Sequence, residues 1–207
     1  MKSLAVIGYS GHAYVAIDAI QAMKKEVTAY FEFKEKALNP YDLNYQGADS
    51  KEKLKELSVQ YDFFIGIGDN LIRRKIYEMY SSIEFINAIH PSAQIGSKVE
   101  FGKSVLVAPN ATINAMTKIG DGVICNSGSI IEHECVIRDF AHIAPGAVLC
   151  GNVEIGDNTF IGANTVVKQG IRIGKNVVVG AGSVVITDIE DNQTVVGNPT
   201  RKIYYER

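Results

Sequence analysis

Five consecutive residues, Ile131-Glu132-His133-Glu134-Cys135, set an imidazole beside a carboxylate and bracket the pair with apolar side chains. Histidine is the side chain most easily set to accept a proton near neutral pH, and an adjacent carboxylate raises its basicity and can hold one tautomer. The chemistry this suits is general-base removal of a proton from a nucleophile. A lone surface histidine would not carry that reading; His133 has Glu134 next to it and a second imidazole, His142, further along the chain.

Which way His133 points is set by a repeat. Stepping by six from Ile89, the residues are Ile95, Phe101, Val107 and so on through Ile131, Ile137 and Ile143 to Val185, every one large and apolar apart from Cys125. Four residues behind each comes a smaller partner, from Ala93 and Val99 through Cys135 and Ala141 to Ile189. Unbroken self-similarity at a short fixed period marks a β-solenoid. Three six-residue units close a triangular coil, and each coil is buried by its neighbours. An antiparallel sandwich would instead part its strands with frequent turn signals and sustain no period of six. In this frame Ile131 and Cys135 point inward, and His133 and Glu134 lie on an outward bend. Taken modulo 18, Pro145, Ala163 and Ala181 share one corner, with His142 on the face leading to it, while His133 shares another corner with Gly151 and Gln169. His133 and His142 of one chain therefore stand apart. A groove holding both needs a second chain, and the expectation is a composite site between subunits of a closed cyclic oligomer.

The residues before the repeat read as an α/β unit. Leu4 to Ile7 is a short apolar run that enters Gly8-Tyr9-Ser10-Gly11-His12 and then an apolar-periodic stretch from Val15 to Met23. Strand, glycine turn and helix either make a plain βα turn or point backbone N–H groups at an anion. Val27 to Phe33 reads as a second strand, with Glu32 where a dinucleotide fold carries its acidic ribose ligand, although the full G-x-G-x-x-G fingerprint is missing. Asp49 to Gln60 reads as a surface helix and Tyr61 to Ile67 as a buried strand. Gly68-Asp69-Asn70 then caps a helix from Leu71 to Tyr80. Arg73, Arg74 and Lys75 near its start oppose the helix dipole, and are either phosphate ligands or solvent-facing charges. His90 precedes Pro91 at the junction and reads as structural.

Composition sets limits. The 207 residues carry 21 basic and 23 acidic side chains, well mixed, with no polybasic footprint for nucleic acid or an anionic membrane. No run approaches the apolar length of a membrane span and the N-terminus lacks signal-peptide character, so a soluble, cytoplasmic protein is expected. Cys125, Cys135 and Cys150 form no Cys-x-x-Cys pair and read as core residues rather than metal ligands.

Taken together, Ile131-Glu-His-Glu-Cys-Val-Ile137, Phe140-Ala-His142, Ile113-Asn-Ala, Val196-Gly-Asn-Pro-Thr-Arg201, Gly8-Tyr-Ser-Gly-His12 and Ile67-Gly-Asp-Asn-Leu-Ile-Arg73 resemble the PglD/NeuD group of bacterial sugar acetyltransferases along nearly the whole chain. The resemblance implies an α/β Rossmann-like nucleotide-sugar-binding domain over residues 1–88 and a left-handed parallel β-helix acetyltransferase domain over residues 89–207. It also implies a homotrimer with sites at subunit interfaces, acetyl-CoA as co-substrate and no metal. By position, it makes His133 the general base and Glu134 the group that increases its basicity. His142, Gly151, Ala163 and Ala181 fall to acetyl-CoA, and Ser10, Gly11, His12, Glu32, Phe33, Gly68, Asn70 and Arg73 to a nucleotide-sugar such as a UDP-sugar. The chain departs from the group at Glu32-Phe33, where PglD-like members carry an Asp-Asp pair. The implied reaction is direct N-acetylation of a nucleotide-linked amino sugar, because no serine or cysteine lies beside a base to form an acyl-enzyme. O-acetylation of a sialic acid or related sugar is the alternative, followed by a non-catalytic nucleotide-sugar binder. The repeat also resembles γ-type carbonic anhydrases, which need three histidines on a metal, whereas only His133 and His142 lie on regular coils here.

Overall fold

The computed structural model describes residues 2–203. Four parallel strands, β1 (Ser3–Ile7), β2 (Val27–Phe31), β3 (Asn44–Tyr45) and β4 (Tyr61–Ile65), form one sheet in the order β3-β2-β1-β4. Helices α1 (Gly11–Ala22), α2 (Lys51–Leu57) and α3 (Asn70–Met79) connect and cover it. The apolar runs seen in the sequence fill both of its faces: Leu4, Val6, Tyr30 and Phe64 on one side, Ala5, Ile7, Phe31 and Phe63 on the other. The second strand stops at Phe31, short of the expected Phe33, and the backbone of Glu32 bonds Gly47 O instead of continuing along β2. From β1 the chain moves outward to β2 and β3, then crosses to the far side of β1 for β4. This reversal opens a crevice at the C-terminal ends of β1 and β4, where open α/β sheets take ligands. Gly8 lies there with φ +88, and a Cβ on it would come within 2.6 Å of Ile67 Cγ1, so the turn admits only glycine.

From Ala88 onward the chain winds into a parallel β-helix of two-residue strands. Each strand pairs with its equivalent one full coil on, as Lys118 does with Val136, Ile124 with His142 and Ile130 with Val148. The second residue of each strand points inward, giving the stacked core of Val107, Cys125, Ile143, Ile161 and Val179 and its equivalents on the other two faces. A left-handed residue recurs at the bends in step with the repeat, from Lys98 through Asn110, Gly122, Glu134, Gly146 and Asn158 to Gly182. Asn and Gly tolerate this conformation best; Glu134, at φ 60, occupies it at a cost of about 1 kcal/mol.

Two details depart from an unbroken beat of six. Ile95 is exposed, because its strand has a neighbour on only one side. Near the other end Ile189 bridges Ile173 and Val195 pairs with Val179, offsets of 16, so the last coil drops two residues at the corner after Val185. Ile189 still points inward, but in the large-residue column rather than the small one.

The three outward columns differ in character. Ala88, Leu106, Ile124, His142, Phe160 and Val178 form the first face. The second carries Gln94, Thr112, Ile130, Val148, Val166 and Val184, and the third Glu100, Lys118, Val136, Glu154 and Arg172. The α/β unit docks on the upper part of the first face: Ala88, Leu106 and Ile124 share a core with Ala13, Ala16, Ile17 and Ile20 of α1. Beside it α3 fastens to the neighbouring corner through Arg73. Arg73 Nε donates to Gly122 O at 2.7 Å, Nη1 to Ile67 O and Gly68 O, and Nη2 to Asn70 Oδ1 and Phe140 O. All five guanidinium N–H groups are thereby used. Replacing Arg73 with methionine should leave the buried Gly122 and Phe140 carbonyls without these donors and destabilise the protein by at least about 3 kcal/mol in urea unfolding, with α3 loosened first.

Candidate active site

The corner that begins at Ile131 turns with Glu134 in the left-handed conformation, and the turn brings the expected pair together: His133 Nδ1 lies 3.1 Å from Glu134 Oε2. Both side chains are about half exposed, so neither pays the full cost of burying charge. With Nδ1–H donating to the carboxylate, Nε2 is the nitrogen left to accept a proton. One coil further on, Gly151 lies beneath the ring. A Cβ at 151 would stand 2.5 Å from His133 Cε1 and 2.7 Å from Nε2, and the backbone of Gly151 is not left-handed. The absence of a side chain at 151 thus leaves the seat on which the imidazole rests, and an alanine there would push the half-exposed ring aside.

His142 has a different environment. It is 8% exposed, on the first face directly below the docked α/β unit. Its ring packs edge-on to Phe160 at 5.1 Å and 5.8 Å from the ring of His12, which comes from the first turn of α1. Asn126 Nδ2 lies 3.0 Å from His142 Nε2. An amide N–H donates, so Nε2 accepts and the ring proton belongs on Nδ1, which is buried without a hydrogen-bond partner. Burial, then His12 and Arg73, pulls the pKa of His142 down to about 3. Burial, then Arg73, lowers His12 to about 4. Both imidazoles are neutral throughout the physiological range.

The depressed values carry a stability consequence. Below about pH 6.5 the unfolded chain protonates these histidines while the folded one does not, so stability is fully present above that pH. It should fall as pH drops toward the folded values near 4 and 3, in urea midpoints measured from pH 7 to pH 4. His12→Gln with His142→Gln should flatten that dependence.

The other expected residues divide into three groups. Ser10, Glu32, Phe33 and Gly68 line one cavity of about 400 Å³ with Gly8 and Asp69, at the crevice above β1 and β4, and Gly11 opens α1 beside Ser10. The Ser10 side chain makes no capping bond, so the first N–H groups of α1 are not closed by it. Ala163 and Ala181 stack on the corner after the first face, Gly182 N bonding Ala163 O at 2.8 Å, both at least partly exposed. Arg73 and Asn70 are corrections. Arg73 has no N–H left for a phosphate, and Asn70 Nδ2 bonds Asn158 O and Thr159 O while its Oδ1 accepts from Arg73. Both residues fasten α3 to the coil. Sequence reading overlooked Asn126, whose signal was arithmetic: from His142 it lies one coil back and two positions along. It also overlooked the His12–His142 approach, which no spacing within the repeat encodes.

Known proteins share this fold. Residues 3–80 match the PglD N-terminal domain and residues 152–187 the hexapeptide repeat of succinyl-transferase. Perosamine N-acetyltransferase from Caulobacter crescentus, as a histidine-to-asparagine variant in complex with CoA and GDP-perosamine, is 31% identical, with 99% of this chain and 98% of that one covered at a TM-score of 0.93. The acetyltransferase domain of PglB from Neisseria gonorrhoeae, in complex with acetyl coenzyme A, is 31% identical over 98% of this chain and 99% of that one, with a TM-score of 0.91. WeeI from Acinetobacter baumannii is 25% identical over 98% and 100%, with a TM-score of 0.85.

Proposed function

The chain belongs to the PglD-type, acetyl-CoA-dependent sugar acetyltransferases, and from that premise we propose that it acetylates the amino group of a nucleotide-linked amino sugar, with His133 as general base. The observation that carries the reading is the His133 Nδ1–Glu134 Oε2 contact of 3.1 Å, which leaves Nε2 to take the proton. His133 accepts a proton from the amine as its nitrogen attacks the thioester carbonyl. The tetrahedral adduct then expels the CoA thiolate, and the imidazolium returns the proton to that sulfur. In this reading the amine attacks the thioester itself; burial pushes the Cys125 thiol up to about 12 and the Cys135 thiol up to about 11, which disfavours these two cysteines as nucleophiles.

The acetyl donor is assigned to the corner of Ala163 and Ala181 with His142, where small side chains leave room for a pantetheine arm. The nucleotide is assigned to the crevice of Ser10, Gly11, Glu32, Phe33 and Gly68, with His12 toward the sugar. Perosamine N-acetyltransferase is seen in complex with CoA and GDP-perosamine and PglB with acetyl coenzyme A, which supports a nucleotide-sugar and acetyl-CoA as the two ligands. The two histidines stand on different parts of the prism, so the site is completed by a second subunit. The uncovered apolar column of Ile130, Val148, Val166 and Val184 on the second face supplies a surface for it, and a cyclic trimer is the closed form that uses it in every copy. An active monomer in sedimentation velocity would overturn the shared site.

The test is an acetyl-CoA assay read by free thiol and product mass against GDP-, UDP- and dTDP-linked amino sugars and free sialic acids. Acetylation of at least one nucleotide-linked amine, and not of its hydroxyl analogue, is expected. Transfer to a sialic acid alone would establish the O-acetyl reading instead.

A further inference from the structure

The loop after β2 presents Phe33 at 82% exposure, on the rim of the crevice cavity. A bare phenyl ring in water is stabilised by nothing around it; against a flat apolar ligand it becomes a platform. The cavity it borders has a distinct chemistry. Its lining includes three carboxylates, Glu32, Asp49 and Asp69, and no lysine, arginine or histidine. A phosphate would be repelled there and belongs nearer the start of α1. What suits the cavity is a neutral, planar group rich in hydrogen-bond donors.

Each carboxylate is also held in place by the fold. Glu32 Oε1 accepts from Tyr9 N at 2.9 Å and meets Lys36 Nζ at 3.2 Å. Asp49 Oδ2 accepts from Tyr80 OH at 2.6 Å, and Asp69 Oδ1 from Ile72 N at 2.8 Å. One oxygen of each is anchored, which leaves the other as a fixed acceptor. Guanine offers N1–H and the exocyclic N2 amine side by side, a match for a carboxylate. Uracil and thymine offer a single N3–H flanked by two carbonyls, which a carboxylate repels.

Resting on the nucleotide-sugar reading above, we propose that Phe33 and the anchored carboxylates of this cavity select the base of the substrate, Phe33 by stacking and Glu32 or Asp49 by accepting from a guanine edge, so that the natural acceptor is a GDP-linked amino sugar. Phe33 is thus a specificity-determining residue for this chain, at the position where it departs from its resemblance.

The experiment is calorimetric titration of the full-length protein with GDP, UDP and dTDP, without any sugar. GDP should bind about tenfold or more tightly than UDP or dTDP. Phe33→Ala should weaken GDP about tenfold, Phe33→Tyr should restore it, and Asp49→Asn with Glu32→Gln should narrow the preference for GDP. Because Phe33 is exposed, its variants should keep the wild-type melting temperature. Equal binding of GDP and UDP, an unchanged GDP affinity in Phe33→Ala, or no binding of any nucleotide would each overturn the proposal. Those outcomes are separable from failure of the transferase reading: acetylation of a UDP-linked amine in the thiol assay would sink guanine selection and leave amine acetylation standing.

Discussion

Replacing His133 by alanine is expected to lower kcat by about 10²- to 10⁴-fold while leaving the urea midpoint close to that of the wild type. The size follows from the role: the imidazole alone offers a nitrogen to the reacting proton, and its Nδ1 is already committed to Glu134 at 3.1 Å. The small effect on stability follows from position, since His133 lies outside the stacked core of Ile131, Cys135 and Ile137 and is half exposed. Glu134→Gln keeps a hydrogen-bond acceptor for Nδ1–H but removes the charge. Its kcat should fall less, by about tenfold, because Nδ1–H keeps an acceptor while the imidazolium formed in the reaction loses its counter-charge. Initial rates under saturating acetyl-CoA from pH 5 to pH 9 check both. A His133→Ala enzyme within a few-fold of wild-type turnover would remove the residue from the chemistry.

How much of this was legible beforehand follows from where each contact is encoded. The coil was readable because its physics is periodic: one large and one small inward residue every six positions place Ile131, Ile137 and Ile143 on three successive faces without reference to anything else. The pairing of His133 with Glu134 was readable for the same reason, being local to one bend. His142 was placed on the correct face, but its burial was not visible, because it depends on how α1 and the Gly68 turn settle on Leu106 and Ile124. That docking is non-periodic and brings together residues more than a hundred positions apart, His12 and His142 among them. Arg73 shows the same limit from the other side. A cation near a helix start reads as an anion ligand when the helix is taken alone, yet here its five N–H groups close onto carbonyls and an amide supplied by α3, its leading loop and two coils. The lost two residues after Val185 were masked because Ile189 is apolar in either register.

Gly151→Ala is the sharper test, because it changes no functional group. The backbone at 151 accepts alanine without strain, and Gly151 is buried beneath His133, so the added methyl meets the imidazole first, its Cε1 and Nε2 at 2.5 and 2.7 Å. The ring must swing off its seat, lengthening the contact with Glu134 and moving Nε2 from the line of proton transfer. A displacement of about 1 Å at a reacting group costs about 10²-fold in rate, and that loss in kcat is the expected result. Sequence position alone assigned Gly151 to acetyl-CoA, which predicts something else: a raised KM for acetyl-CoA with kcat largely kept. The two roles separate further in a double variant. If Gly151 acts by seating the imidazole, adding Gly151→Ala to His133→Ala should change neither kcat nor KM further, since the group it would displace is already gone. If it acts on the co-substrate, the two losses should multiply.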